Sequence, residues 1–136
     1  MPGVLEFEAY DLGMPSITYY DTTKGNSKKG FWRRDDVDIA SSKGRHYVTN
    51  TEETEWLEYS IFSKNLNQCQ ISINYFGNKA GEIYFEINGK LATQVINLPK
   101  SNSLKTINYK SKEKIFIPKG NSILRLYIKE GGINLD

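Results

Sequence analysis

Apolar and polar residues alternate along most of this chain. In "VLEFEAY" the residues Leu5, Phe7 and Ala9 oppose Glu6, Glu8 and Tyr10, and in "EWLEYSIF" Leu57, Tyr59 and Ile61 oppose Trp56, Glu58 and Ser60. A two-residue period puts one side of a strand in the core and the other in water, so both read as half-buried strands. Further runs follow in "CQISINYF", "GEIYFEING", "LATQVINL", "LKTINYK", "EKIFIP" and "SILRLYIKE", divided by the turn-rich "GNKAG", "NG", "PKSNS" and "PKGNS". The Asn88-Gly89 pair predicts a hairpin, because both residues tolerate positive φ. No segment keeps a helical period. Many short strands at this spacing predict an all-β sandwich of jelly-roll type, built from two antiparallel sheets. The region from Gly13 to Asn50 departs from the pattern: it is polar, poorly periodic and rich in aromatics. The largest loops, and with them the function, are expected there.

Composition narrows the classes of function. The 136 residues are enough for one domain with a sizeable core, and the expectation is a single domain over 1–136. The 18 bases and 16 acids are spread along the chain and leave a net charge of +2, which gives no concentrated footprint for nucleic acid. No apolar run approaches the ~20 residues that cross a bilayer, so no membrane partner is expected. The opening "MPGVLEFEAY" lacks a signal-peptide pattern; a secretion signal would lie outside this sequence. Cys69 is the sole cysteine, which removes an internal disulfide and any cysteine-rich zinc site. It reads as a buried strand thiol. The single His46 has no second histidine for a metal pair, and its default role is structural or superficial. Asp35, Asp36 and Asp38 are too closely spaced on one loop for the separated carboxylate pair of glycoside hydrolysis. They read instead as a solvated or turn-capping cluster.

The order of motifs is distinctive: "EFEAYDLG", then "YYDTTKGNSKKGFWRRDDVDI", "EWLEYSI", "IYFEINGK", "IPKGNSILRLYI" and "GGINLD". Together they resemble a family-six carbohydrate-binding module over nearly the whole chain, most of all the type attached to agarases and laminarinases. The resemblance implies a non-catalytic β-sandwich excised from a larger secreted polysaccharide-degrading enzyme, with a polysaccharide or oligosaccharide as ligand and an appended catalytic domain as partner. It also implies a structural calcium, held by Glu6 and Glu8 of the opening E-x-E, by Asp136 of the closing N-x-D, and by a backbone carbonyl near Lys28. The residue types suit that ion, which takes six to eight hard oxygen ligands. Two acids on one strand face repel each other unless a cation lies between them.

For the sugar, the resemblance implies Trp32 as a ring platform, Tyr20 and Asp21 at the start of the D-T-T run as polar neighbours, and Asn134 as an amide for vicinal hydroxyls. An aromatic face packs on a pyranose ring, and planar polar groups satisfy its hydroxyls. Arg33, with Arg34, either meets sulfate or carboxylate groups of an anionic galactan or pairs with Asp35 and Asp36. Trp56, inside a strand, reads as structural. Two departures stand out. Leu104 occupies the place of a second aromatic wall, and Thr49 in "YVTN" stands where the family has glycine. The expected function is therefore binding of a β-glycan chain or chain end, of agar, porphyran or β-1,3-glucan type, that targets an attached glycoside hydrolase. The alternative is a degenerate module serving as spacer or protein contact.

Overall fold

The structure, a computed structural model, describes residues 3–26, 35–101 and 105–136. Along the chain the strands are β1 (Tyr19–Tyr20), β2 (Ile39–Ser42), β3 (Arg45–Val48), β4 (Trp56–Ser63), β5 (Asn67–Phe76), β6 (Gly81–Ile87), β7 (Lys90–Leu91), β8 (Ile96–Leu98), β9 (Ile107–Ile117), β10 (Gly120–Glu130) and β11 (Asn134–Leu135). They pair in two antiparallel sheets. The first runs β1-β4-β10-β6-β7, with β8 also on β6; the second runs β2-β3-β11-β5-β9. This is the expected β-sandwich, a jelly roll. Inward residues such as Leu57, Tyr59, Ile83, Phe85, Leu126 and Ile128 of the first sheet meet Ile39, Val48, Ile73, Tyr75 and Leu135 of the second in one core. Burying each such side chain contributes about 1.5–3 kcal/mol.

The alternation places β4, β5, β6 and β10 correctly. Asn88 and Gly89 take φ of 52° and 77°, the left-handed values a two-residue hairpin turn requires. "LKTINYK" and "EKIFIP" merge into the single strand β9, which opposes β5 and is interrupted by a register shift between Gln70 and Ser72. The region expected to be loop contains a hairpin, β2–β3, turned by Lys43 and Gly44 at φ 51° and 79°.

One expected strand is absent. "VLEFEAY" forms a short 3-10 turn over Phe7–Ala9, closed by the Ala9 N–H donating to the Glu6 carbonyl at 3.0 Å. Phe7 and Tyr10, three apart, are both buried, which is the spacing of a 3-10 turn. The Tyr59 hydroxyl fixes the turn by donating to the Phe7 carbonyl at 2.8 Å. Glu6 and Glu8 therefore do not share a strand face: Glu6 is exposed and Glu8 buried.

The closing segment enters between β3 and β5 through two glycines. A Cβ on Gly131 would lie 2.0 Å from the Thr51 carbonyl oxygen, and Gly132 holds φ +94°, where a side chain is strained. The Gly132 N–H donates to that Thr51 carbonyl at 2.8 Å. Thr51 in turn donates its hydroxyl to the Ile133 carbonyl at 2.7 Å. Among the described residues no helix is long and apolar enough to cross a membrane.

Candidate functional site: a loop-end cleft and an aromatic sheet face

At one end of the sandwich, the loop leaving β1 folds back on itself because its polar side chains bond its own backbone. Asp21 Oδ1 accepts from the N–H and hydroxyl of Thr23, both at 2.9 Å. The Thr22 hydroxyl donates to Glu52 at 2.6 Å and to Glu55 at 3.0 Å. The Thr22 N–H reaches Glu55 at 3.1 Å. On the returning limb, Asp35 accepts from the Tyr10 hydroxyl, Asp36 accepts from the Gly25 N–H at 2.9 Å, and Asp38 accepts from Asn50 Nδ2 at 2.9 Å. The three aspartates thus tie the loop to partners distant in sequence, where their spacing predicts local turn-capping.

These ties frame an open cleft of about 530 Å³ lined by Thr23, Lys24, Gly25, Asn26, Asp38, Asn50, Thr51 and Glu52. Its volume lies within the range of small-molecule sites. Among the described residues the lining offers hydroxyls, amides and carboxylates of both donor and acceptor type, and no aromatic ring. Behind it, Asp21 and Glu55 have pKa values raised above the ordinary carboxylate range. Burial is the main cause for both. Hydrogen bonds from Thr23 oppose the shift at Asp21, while Asp38 and Asp36 add repulsion. At Glu55 the N–H groups of Glu52 and Thr22 oppose it and Asp21 adds to it.

The second feature lies on the outer face of the first sheet. Tyr20 is opposite Trp56, Trp56 opposite Tyr127, and Tyr127 opposite Tyr84, so four aromatics cross four strands in one row. Tyr84 and Tyr127 stack with centroids 4.8 Å apart and planes 6° from parallel. The Arg125 guanidinium lies 3.9 Å from the Trp56 ring centroid and donates to Glu58 at 2.6 and 3.0 Å. Trp56 is accordingly half-buried under a cation on the outer face, outside the core.

The residues singled out in the sequence are dispersed. Trp32, Arg33 and Lys28, with Arg34 and Leu104, lie outside the described residues. Tyr20 stands on the edge strand β1, 38% exposed, in the aromatic row. Asp21 sits behind the cleft. Asn134, in the other sheet, accepts from the Thr49 hydroxyl at 2.6 Å and donates to the Phe76 carbonyl at 3.2 Å; Thr49, at the place of the family's glycine, therefore holds this amide. None of these three lines the cleft. The lining residues Asn50, Thr51 and Glu52 were not singled out in the sequence, and their only signal there is the polar break "TNTEETE" between two strands.

For a cation, the described residues fit in part. Glu8 is only 7% exposed and its pKa is raised by burial, with the charges of Glu6 and Asp136 adding to the effect. Asp136 pairs with Arg45 at 2.9 Å. Among the described residues no group of three or more His, Cys, Asp or Glu side chains is set to hold a metal ion.

Comparison with known proteins decides the family. A family model described as "Carbohydrate binding module (family 35)" matches residues 33–136. The chain belongs to this family. The module is accordingly non-catalytic; the family matched over these residues is 35, where the motifs read above resemble family six. Solved structures of both families share its fold. The Clostridium stercorarium family 6 module in complex with cellobiose superposes with a TM-score of 0.71 at 15% identity, covering 97% of this chain and 87% of that one. The C-terminal family 6 module of a marine laminarinase from Zobellia galactanivorans gives 0.65 at 15%, covering 84% and 92%. The Podospora anserina GH26-CBM35 β-(1,4)-mannanase gives 0.61 at 16%, covering 97% of this chain and 25% of that one. No curated protein sequence matches the module.

Proposed function

We propose that this module binds β-glycan chains or chain ends, of agar, porphyran or β-1,3-glucan type, in the loop-end cleft. In a longer, secreted protein it would bring an attached glycoside hydrolase to that substrate. The observation that carries the reading is the cleft itself, whose walls are polar side chains on loops held by the Asp21, Asp36, Asp38 and Glu55 bonds. Fixed partners at rest reduce the ordering cost of binding. The laminarinase and mannanase neighbours support the link to hydrolases, and modules of this kind sit on extracellular enzymes. Affinity is expected in the weak range, at about 0.1–1 mM. Affinity gels with laminarin, agarose, porphyran and xylan, followed by calorimetry on Asn26→Ala and Asn50→Ala at unchanged melting temperature, test it. Binding lowered by both substitutions supports the cleft. Failure of every polysaccharide to bind leaves the spacer role.

The aromatic row favours a second reading, in which a chain lies along the outer face of the first sheet and packs on Tyr20, Trp56, Tyr127 and Tyr84. Arg125 already occupies one face of Trp56, so this surface would need that cation to move before both ring faces were open.

Structural calcium at Glu6, Glu8, Asp136 and the Lys28 carbonyl is a separate part of the proposal. It is supported by the burial of Glu8 close to the two other carboxylates. An ion bound only by the folded state at about a hundredfold over its dissociation constant adds about 3 kcal/mol. EGTA should therefore lower the melting temperature, and an unchanged melting curve removes the ion.

A further inference from the structure

The two sheets differ in outer-face charge. From Lys105 to Lys119 the sequence has five lysines against one acid, Glu113, a net charge of +4 in a chain of +2; the remainder is net −2. Three of these lysines, Lys110, Lys112 and Lys114, lie with Glu113 on the edge strand β9. Lys110 lies opposite Ser72, Lys114 opposite Gln70 and Phe116 opposite Gln68, all of them exposed. Between Lys110 and Lys114 the ladder slips, and a bulge carries Lys112 and Glu113 out at the edge. The Ser111 hydroxyl pins this bulge, accepting from the Ile71 N–H at 3.0 Å and donating to the Glu113 carbonyl at 2.7 Å. Beside the lysines runs a strip of neutral groups. The Ser72 hydroxyl donates to Asn108 Oδ1 at 2.9 Å, and Asn108 Nδ2 donates to Asn74 Oδ1 at 2.7 Å. Among the described residues, Lys110, Lys112 and Lys114 form no ion pair.

Lysines on an edge strand also prevent edge-to-edge pairing. That role leaves unexplained the Phe116 ring, 62% exposed on the same face, which a protected edge is better without. A row of cations ending on an open aromatic, beside fixed amides and hydroxyls, provides for anionic oxygens, a pyranose face and sugar hydroxyls together. We propose that the outer face of β5 and β9 binds polysaccharide carrying sulfate or carboxylate groups, separately from the loop-end cleft.

The test is affinity electrophoresis of the whole chain in gels containing dextran sulfate, polygalacturonate or neutral dextran. The wild type should be retarded by one or both anionic polymers and not by dextran, with retardation weakening as salt screens the charges. Dextran sulfate alone would assign sulfate, polygalacturonate alone carboxylate, and both would assign charge without regard to its carrier. Replacing Lys110, Lys112 and Lys114 by Gln should weaken binding about tenfold or more with the melting temperature unchanged. Phe116→Ala should weaken it without altering the salt dependence, and Glu113→Gln should strengthen it. Laminarin binding in the cleft should be the same in all of these variants. No retardation of the wild type at low salt, equal retardation of the triple variant, or equally tight binding of double-stranded DNA would overturn the proposal.

Discussion

The loop-end cleft and the aromatic face of the first sheet divide between them what a sugar needs. The cleft has hydroxyls, amides and carboxylates on loops tied by hydrogen bonds, with no ring among its described lining residues. The sheet face has four rings in register, and their polar neighbours are already committed: Arg125 bonds Glu58 and the Tyr127 hydroxyl. Loops already held before a ligand arrives reduce the ordering cost of binding, whereas a charge pair that must first be parted adds a penalty. The difference ranks the cleft first.

The largest expected effect comes from breaking the cleft from behind. Gly131→Ala forces a methyl against the Thr51 carbonyl and should destabilise the module by about 3 kcal/mol or more, read as a fall in melting temperature. Trp56→Ala should cost less, about 2 kcal/mol, because the ring is half-buried and loses its cation contact as well as its packing. Its effect on oligosaccharide affinity, measured by calorimetry, should be small. A loss of binding with the fold intact would move the site to the sheet face. Arg125→Ala should change stability by about 1 kcal/mol and uncover Trp56. A gain in affinity would show that the row is a site held shut by Arg125, and the account expects none.

The smallest effect is in pH dependence. Asp21 and Glu55 have raised pKa values in the folded protein, so just above the ordinary carboxylate range the folded state holds protons that the unfolded chain has released. Their contribution to stability is full below the unfolded pKa and is lost as pH rises through the folded values. Melting temperatures followed from about pH 4 to 7 should carry a falling component, and Glu55→Gln should flatten it. A rising component that Glu55→Gln removes would reverse the sign and contradict the burial of this group.

The sheets were legible because a period of two in residues such as Leu57, Tyr59 and Ile61 has one burial solution. The opening segment was misread for the same reason: Phe7 and Ala9 alternate, yet Phe7 and Tyr10 are the buried pair, and only tertiary contact with Tyr59 selects the turn. That Asp35, Asp36 and Asp38 act within the loop could be read from their type, but not their partners: Tyr10, Gly25 and Asn50 are distant in sequence, and only the fold brings them to these acids. Asn50, Thr51 and Glu52 could not be read as site residues, because only the fold brings them into one cleft with residues 23–26. The aromatic row was hidden differently. Tyr20, Trp56, Tyr84 and Tyr127 belong to four strands, and only the registers align them. The lysines of β9 looked dispersed for a similar reason, as local density disappears in a chain-wide charge of +2.

The central claim, that sugar enters the loop-end cleft, is tested most directly by NMR titration of the labelled module with laminari- and agaro-oligosaccharides. The account predicts progressive shifts at the amides of Thr23, Asn26, Asn50 and Thr51 and at the Asn26 and Asn50 side chains, with Trp56, Tyr84 and Tyr127 unmoved. Shifts confined to those three aromatics, with the cleft residues silent, would contradict it.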